Sequence, residues 1–221
     1  SVVMKMIIER EQEIKKFESS GYYKTSGSFK TKDDELVNSD LSCQFENKNL
    51  TKDFLNKCHQ STFKIESIDK KKSTRKPSAP FITSTLQQEA STKLRMSPKS
   101  TMASAQKLYE GGYITYMRTD SFDLSQESLD MITNYINQNY GEQYLKIQAY
   151  KSKSKNSQEA HEAIRPCNFK VTSLRDDETM TNFEERLYRL IWNRTVASQM
   201  AHCKVDLFTT KISISESPDE K

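Results

Sequence analysis

The sequence predicts an α+β chain in which a β-rich arch carries an inserted helical lobe. Three observations point there. Residues 20–69 hold short apolar and aromatic runs of strand character, residues 78–201 hold a series of capped amphipathic helices, and a period of two returns after residue 202. A terminal strand after a helical block is expected to rejoin the first β-rich region. The expected organisation is the end of a helix from a preceding domain over 1–16, the first part of the arch over 17–77, the lobe over 78–201, and one or two return strands over 202–221.

Each element has its own signal. Val3, Met6, Ile7 and Ile14 fall near one helical face. The chain starts inside this pattern, and its first residue is Ser1 rather than methionine, which suggests a segment of a longer protein. Residues 20–31 set Tyr22, Tyr23 and Phe29 among serines and glycines, which fits a hairpin. Residues 51–59 fit a short helix, and Phe63, Ile65 and Ile68 fit a strand. Lys70 to Pro77 reads as a solvated basic tether at a boundary.

The helical block opens at Ser84-Thr85-Leu86-Gln87, which has the form of a capping box and starts a helix running to about Leu94. Ser97-Pro98 is a second start, with serine as N-cap and proline first in the helix. Met102, Ala105, Leu108 and Tyr109 follow at helical spacing, and Gly111-Gly112 stops the helix by allowing a left-handed residue. Ser125 starts a third helix with Leu129, Ile132, Tyr135 and Ile136 inward, closed by Gly141. A fourth spans 181–201, with Phe183, Leu187, Leu190, Ile191 and Trp192 as its apolar positions. Val205 and Leu207 alternate, then Ile212 and Ile214 in opposite phase, as in a bulged strand or two strands.

Composition narrows the function classes. With 34% hydrophobic and 29% charged residues, a core is possible but not generous. A net charge of +4 permits a polyanionic partner without demanding one. Cys43, Cys58, Cys167 and Cys203 are scattered, with no CxxC pair, and read as reduced, buried or inert thiols of an intracellular protein. No apolar run is long enough for a membrane span and no signal peptide is visible. No P-loop, dinucleotide fingerprint or EF-hand is present. Asp33-Asp34 and Asp176-Asp177 read as solvated turns.

Chemistry concentrates in Gly112-Tyr113-Ile114-Thr115-Tyr116-Met117-Arg118-Thr119-Asp120-Ser121. A free phenol titrates near pH ~10, so Tyr116 as a nucleophile needs help in losing its proton or stabilisation of its transition state. The planar, permanently charged Arg118 can supply the second by matching two phosphate oxygens. In an extended segment Tyr116, Arg118 and Asp120 share one side. The hydroxyls of Thr119 and Ser121 lie in the same stretch. The alternative is an aromatic and charged cluster packed for shape.

A second cluster is Glu159-Ala160-His161-Glu162-Ala163-Ile164-Arg165-Pro166. His161 sits among polar residues, which favours a site role, such as donating to a phosphate or relaying a proton. Arg165, before a proline, is held extended and could present its guanidinium to a phosphate. A capped loop with a surface ion pair is the other reading. A metal reading with Glu159 or Glu162 lacks the HExxH spacing.

Three blocks, Pro80-Phe81-Ile82-Thr83-Ser84-Thr85-Leu86-Gln87-Gln88, residues 112–121 and residues 159–166, resemble the type IA DNA topoisomerases in order and spacing. The resemblance spans the chain and is weakest over residues 20–60. It implies part of a toroidal enzyme that cuts and reseals one DNA strand through a 5′-phosphotyrosine and relaxes negative supercoils without ATP. It makes Tyr116 the nucleophile and Arg118 its transition-state stabiliser. It gives His161 a DNA contact, and Asp120, Thr119, Ser121 and Arg165 DNA-orienting or DNA-binding positions. Ser1, Val2 and Val3 resemble the end of a DNA-contacting loop. The expected partners are single-stranded DNA, negatively supercoiled duplex and a TOPRIM domain, in the cytoplasm or nucleoid. The TOPRIM domain's catalytic glutamate and DxD motif, with its Mg²⁺ ligands, do not occur in these 221 residues, so this polypeptide alone is expected to be inactive. Cys167 stands where the family has a hydroxyl residue. The competing reading is a non-catalytic single-strand DNA-binding module of the same fold. A tyrosine recombinase would need a different order of arginines and histidines around its tyrosine.

Overall fold

The computed structural model describes residues 1–150 and 162–216. The chain divides into two compact units: Ser1–Lys71 together with Asp206–Lys221, and Lys72–Val205.

In the first unit, helix α1 (Val2–Lys16) exposes every residue, and Lys15 and Lys16 lie in its last turn, where the helix dipole favours cations. Strands β1 (Ser26–Lys30) and β2 (Leu36–Asp40) form an antiparallel hairpin with Ser26 opposite Asp40 and Lys30 opposite Leu36. The hairpin lies further along than the expected 20–31, because Tyr23 pairs with Phe45 in an isolated bridge instead. Asn47 caps helix α2 (Lys48–Gln60) by accepting the Leu50 N–H at 2.9 Å. Phe54 of α2 is buried, its ring centroid 5.1 Å from that of Phe45.

Strand β3 (Phe63–Arg75) pairs with β4 (Cys203–Ile214). The pairing is antiparallel: the Ser215 N–H donates to the Thr62 carbonyl at 3.2 Å, and the Ser213 hydroxyl to the Lys64 carbonyl at 3.3 Å. One expectation is corrected here. The basic run from Lys70 to Arg75 is strand, not tether. Lysines suit it because the residues there are exposed, and Lys70 pairs with Asp206 at 2.7 Å and lies 5.1 Å from the Phe208 ring. The return is one continuous strand of 12 residues.

The second unit packs α3 (Thr83–Glu89), α4 (Pro98–Glu110), α5 (Gln126–Asn139) and α6 (Asn182–Ser198) around a core that includes Leu86, Leu108, Ile132, Ile136, Leu187 and Ile191. A π-helical turn, Ala90–Leu94, extends α3 to the expected end. Ser97 caps α4, its side chain accepting the Ser100 N–H at 3.1 Å with Pro98 first in the helix. Ser125 caps α5, and Gly141 at φ 102° follows its end.

The start of α3 differs from expectation. Its N-cap is Ile82, and the Thr85 hydroxyl accepts the Ile82 N–H at 3.1 Å, so Ser84 already lies inside the helix. Helix α6 begins with a capping box of Thr181 and Glu184 that the apolar pattern did not signal. Phe183 is 53% exposed, because Glu184 and Glu185 take the inward positions of that turn. Their carboxylates accept from the Ser104 hydroxyl at 2.7 Å and the Ser173 hydroxyl at 2.9 Å. Arg194 of α6 pairs with Glu89, donates to the Ala79 carbonyl at 3.3 Å and lies 4.5 Å from the Phe81 ring centre. It thereby fixes the chain that enters α3.

None of the four cysteines is in a disulfide; Cys43 and Cys58 are half-buried, and Cys167 and Cys203 are exposed. Asp177 is not a simple solvated turn, since it accepts from the Tyr113 hydroxyl and from the Thr179 N–H at 2.9 Å.

Candidate active site

Helix α4 ends where Gly112 takes φ 73° and the Tyr113 N–H reaches back to the Leu108 carbonyl at 2.9 Å. The chain after this stop bends at Thr115 and Met117, and from Tyr116 to Ser121 its burial alternates. Met117, Thr119 and Ser121 are buried, while Tyr116, Arg118 and Asp120 are exposed. A phenol, a guanidinium and a carboxylate are therefore all presented to solvent within one five-residue segment. Among the described residues no hydrogen bond ties up the Tyr116 hydroxyl or the Arg118 guanidinium.

The inward residues hold the segment. The Thr119 hydroxyl accepts the Ser121 N–H at 3.1 Å, and the Ser121 hydroxyl accepts the Asp123 N–H at 3.1 Å. Thr119 and Ser121 are thus turned away from solvent, their hydroxyls used within the protein.

All three sequence blocks meet here. Phe81 bridges Ile164, and Ile114 bridges Pro166. The Thr115 N–H donates to the Arg165 carbonyl at 2.9 Å, and the Arg165 N–H to the Thr115 hydroxyl at 3.0 Å. Thr83 closes the other flank. Its N–H donates to the Thr119 carbonyl at 3.0 Å, its hydroxyl donates to the Met117 carbonyl at 2.8 Å, and the same oxygen accepts the Thr119 N–H at 2.9 Å.

Tyr109, placed among the apolar positions of α4 by its spacing, instead stands beside Tyr116. Their ring centroids are 5.2 Å apart and the rings meet edge to face at 66°. Tyr113 is engaged elsewhere: its hydrogen bond to Asp177, together with burial, raises its pKa.

The Arg165 side chain is only 11% exposed, its guanidinium donating to Glu162 at 2.6 and 3.0 Å and to the Pro166 carbonyl at 3.1 Å. Glu162 also accepts the Ser125 N–H at 2.8 Å, so one carboxylate joins the loop to the start of α5. Burial works against its ionisation, but the hydrogen bonds from Ser125 and the charge of Arg165 outweigh it, and its pKa lies below the ordinary value. Beside it, although Cys167 is exposed as a residue, partial desolvation of its sulfur raises the thiol pKa against the opposing Arg165 charge.

His161 lies outside the described residues. Ser1, Val2 and Val3 are exposed at the start of α1 in the first unit. Among the described residues no group of three or more His, Cys, Asp or Glu is arranged to hold a metal.

Residues 1–220 match the DNA topoisomerase family, and the chain belongs to it. It is 42% identical over 244 residues to the prokaryotic-type DNA topoisomerase 1 of Acanthamoeba polyphaga mimivirus, covering 100% of this chain and 28% of that protein. It is 41% identical over 225 residues to DNA topoisomerase 1 of Escherichia coli strain K12, covering 98% of this chain and 26% of that protein. Among solved structures it resembles full-length topoisomerase I from Thermotoga maritima, with a TM-score of 0.71 and 28% identity over 95% of this chain and 36% of that one. The chain thus spans between a quarter and a third of the curated relatives' length.

Proposed function

We propose that this chain is the strand-cleaving lobe and part of the arch of a type IA DNA topoisomerase, acting on one strand of DNA. The Tyr116 oxygen attacks a backbone phosphorus and forms a 5′-phosphotyrosine, its proton passing to solvent or a neighbouring base. The 3′ oxygen leaves and is protonated. Its return restores the phosphodiester and frees the phenol. One phosphodiester replaces another at each step, so no ATP is needed for the relaxation of negative supercoils.

The observation that carries this reading is the common exposure of Tyr116, Arg118 and Asp120 in one short segment. Arg118 would balance charge building on the phosphate, a form of stabilisation worth most where water is excluded. Asp120 would orient Arg118 or a DNA hydroxyl. Arg165 contributes through the loop it holds with Glu162. His161, and the start of α1 at Ser1 to Val3, would add DNA contacts. A TOPRIM domain would supply the Mg²⁺ ligands and the acid for the leaving oxygen. The protein would act inside the cell, and no helix among the described residues is long and apolar enough to cross a membrane.

Tyr116→Phe in the full-length polypeptide tests the reading. The expected result is loss of the covalent DNA adduct with single-strand binding retained. An adduct that survives would overturn it, and unchanged DNA binding with no adduct in either protein would favour a non-catalytic module. The 221 residues alone are expected to leave a supercoiled plasmid unrelaxed.

A further inference from the structure

We infer that Thr83 is a positioning residue for strand cleavage, acting through Arg118; the inference rests on the function proposed above. The Met117 carbonyl belongs to the peptide plane before the Arg118 Cα, and the Thr119 N–H to the plane after it. One side-chain oxygen, Thr83 Oγ1, binds both, at 2.8 and 2.9 Å. Those two planes define φ and ψ of residue 118, so a single hydroxyl fixes the direction in which the Arg118 side chain leaves the backbone. The Thr83 N–H, on the Thr119 carbonyl at 3.0 Å, sets the distance between the two segments.

The position calls for a hydroxyl. It must donate to a carbonyl and accept from an amide at once, which a hydroxyl does and a methyl cannot. Met117 is 1% and Thr119 8% exposed, so water has little access to replace the lost bonds. Thr83 is also the first residue of α3, and Phe81, two residues before it, bridges Ile164. The hydroxyl therefore refers Arg118 to a rigid helix start that also holds the third block. Tyr116 lies outside the clamp, so loosening it would displace the guanidinium from a phosphate held at the tyrosine.

Single-turnover cleavage of a labelled single-stranded oligonucleotide by the full-length polypeptide tests this. Thr83→Val is nearly isosteric and removes only the hydroxyl. It should slow adduct formation by about 10- to 100-fold, the scale of a misplacement near 1 Å, with half-saturating DNA within about 2-fold of the parent. Thr83→Ser should restore most of the rate. In an Arg118→Ala background Thr83→Val should cost nothing further, because residues acting through one another are not additive. A purely structural role would slow both backgrounds alike; loss of the buried hydrogen bonds lowers stability in either case, so Trp192 fluorescence serves to confirm that each variant is folded under assay conditions. Should Thr83→Val not fold, Thr83→Ala takes its place with the same expected pattern. Parental cleavage by either variant, or an equal loss in the Arg118→Ala background, overturns the inference. Tyr116→Phe run alongside separates the two ideas: if it abolishes the adduct while Thr83→Val cleaves normally, the clamp fails and the nucleophile stands.

Discussion

Tyr109 and Tyr116 meet edge to face, 5.2 Å between ring centroids, across the two-glycine stop of α4. Each ring is 41% exposed, so the pair forms a small aromatic surface rather than a piece of core. An aromatic pair of this geometry is worth about 0.5–1.5 kcal/mol beyond its buried area. If that energy holds the Tyr116 ring in its attacking orientation, Tyr109→Leu slows adduct formation by about 2- to 10-fold, following the conversion of free energy to rate. Tyr109→Phe keeps the edge contact and the rate. Oligonucleotide cleavage by the two variants checks this, and equal rates for Leu and Phe would remove the pair from the account.

Gly112 sets the exit from α4 toward the site. At φ 73° a side chain is strained, yet a Cβ there would meet nothing within 4 Å. The expected cost of Gly112→Ala is therefore backbone strain alone, about 1–2 kcal/mol, with Gly112→Asn less costly. Trp192 is the only tryptophan and lies 7% exposed in α6, so its fluorescence during urea unfolding reports this unit. No loss in the alanine variant would contradict the left-handed exit.

Two carboxylates make the lobe sensitive to acid. Glu162 has its pKa lowered as described, and Glu184, despite burial, is lowered by hydrogen bonds from Thr181 and Ser104 and by Lys107. A carboxylate with a depressed folded-state pKa binds protons more readily in the unfolded chain. Its stabilisation is present above the unfolded value, about 4.3 for glutamate, and is lost as pH falls through the lower folded value. The urea midpoint read from Trp192 should therefore fall below about pH 4.3, and Glu162→Gln should flatten part of that fall. A profile unchanged by Glu162→Gln would show that the Glu162–Arg165 pair contributes nothing.

What was legible in the sequence depended on how local its cause is. Ser97 with Pro98, Ser125 and Gly111-Gly112 act within a turn of themselves, and α4 and α5 begin and end where these residues indicate. The basic run gives no strand signal because its partner, β4, lies more than a hundred residues away and a lysine run carries no apolar alternation. The hairpin, likewise, was drawn toward the aromatic pair Tyr22-Tyr23, of which Tyr23 bridges Phe45.

In the site, the order Tyr116, Met117, Arg118, Thr119, Asp120 already implied two sides, because period-two geometry needs no tertiary knowledge. The roles of Thr83 and of Glu162, which the sequence offered only as a weak metal ligand, are not legible there, since a hydroxyl or carboxylate bound to distant backbone leaves no spacing signal. Tyr109 was hidden differently. Its helical spacing matched the core face, and only the return of the chain after Gly112 brings it beside Tyr116.

The most direct test of the central claim is chemical. The full-length polypeptide would be trapped on a labelled single strand, digested with protease, and the nucleotide-bearing peptide sequenced by mass spectrometry. The account predicts a 5′-phosphate joined to the Tyr116 oxygen, within the peptide that contains Arg118. A nucleotide on Tyr109, on Tyr113 or on any other residue, or a trapped complex with no covalent nucleotide, would contradict it.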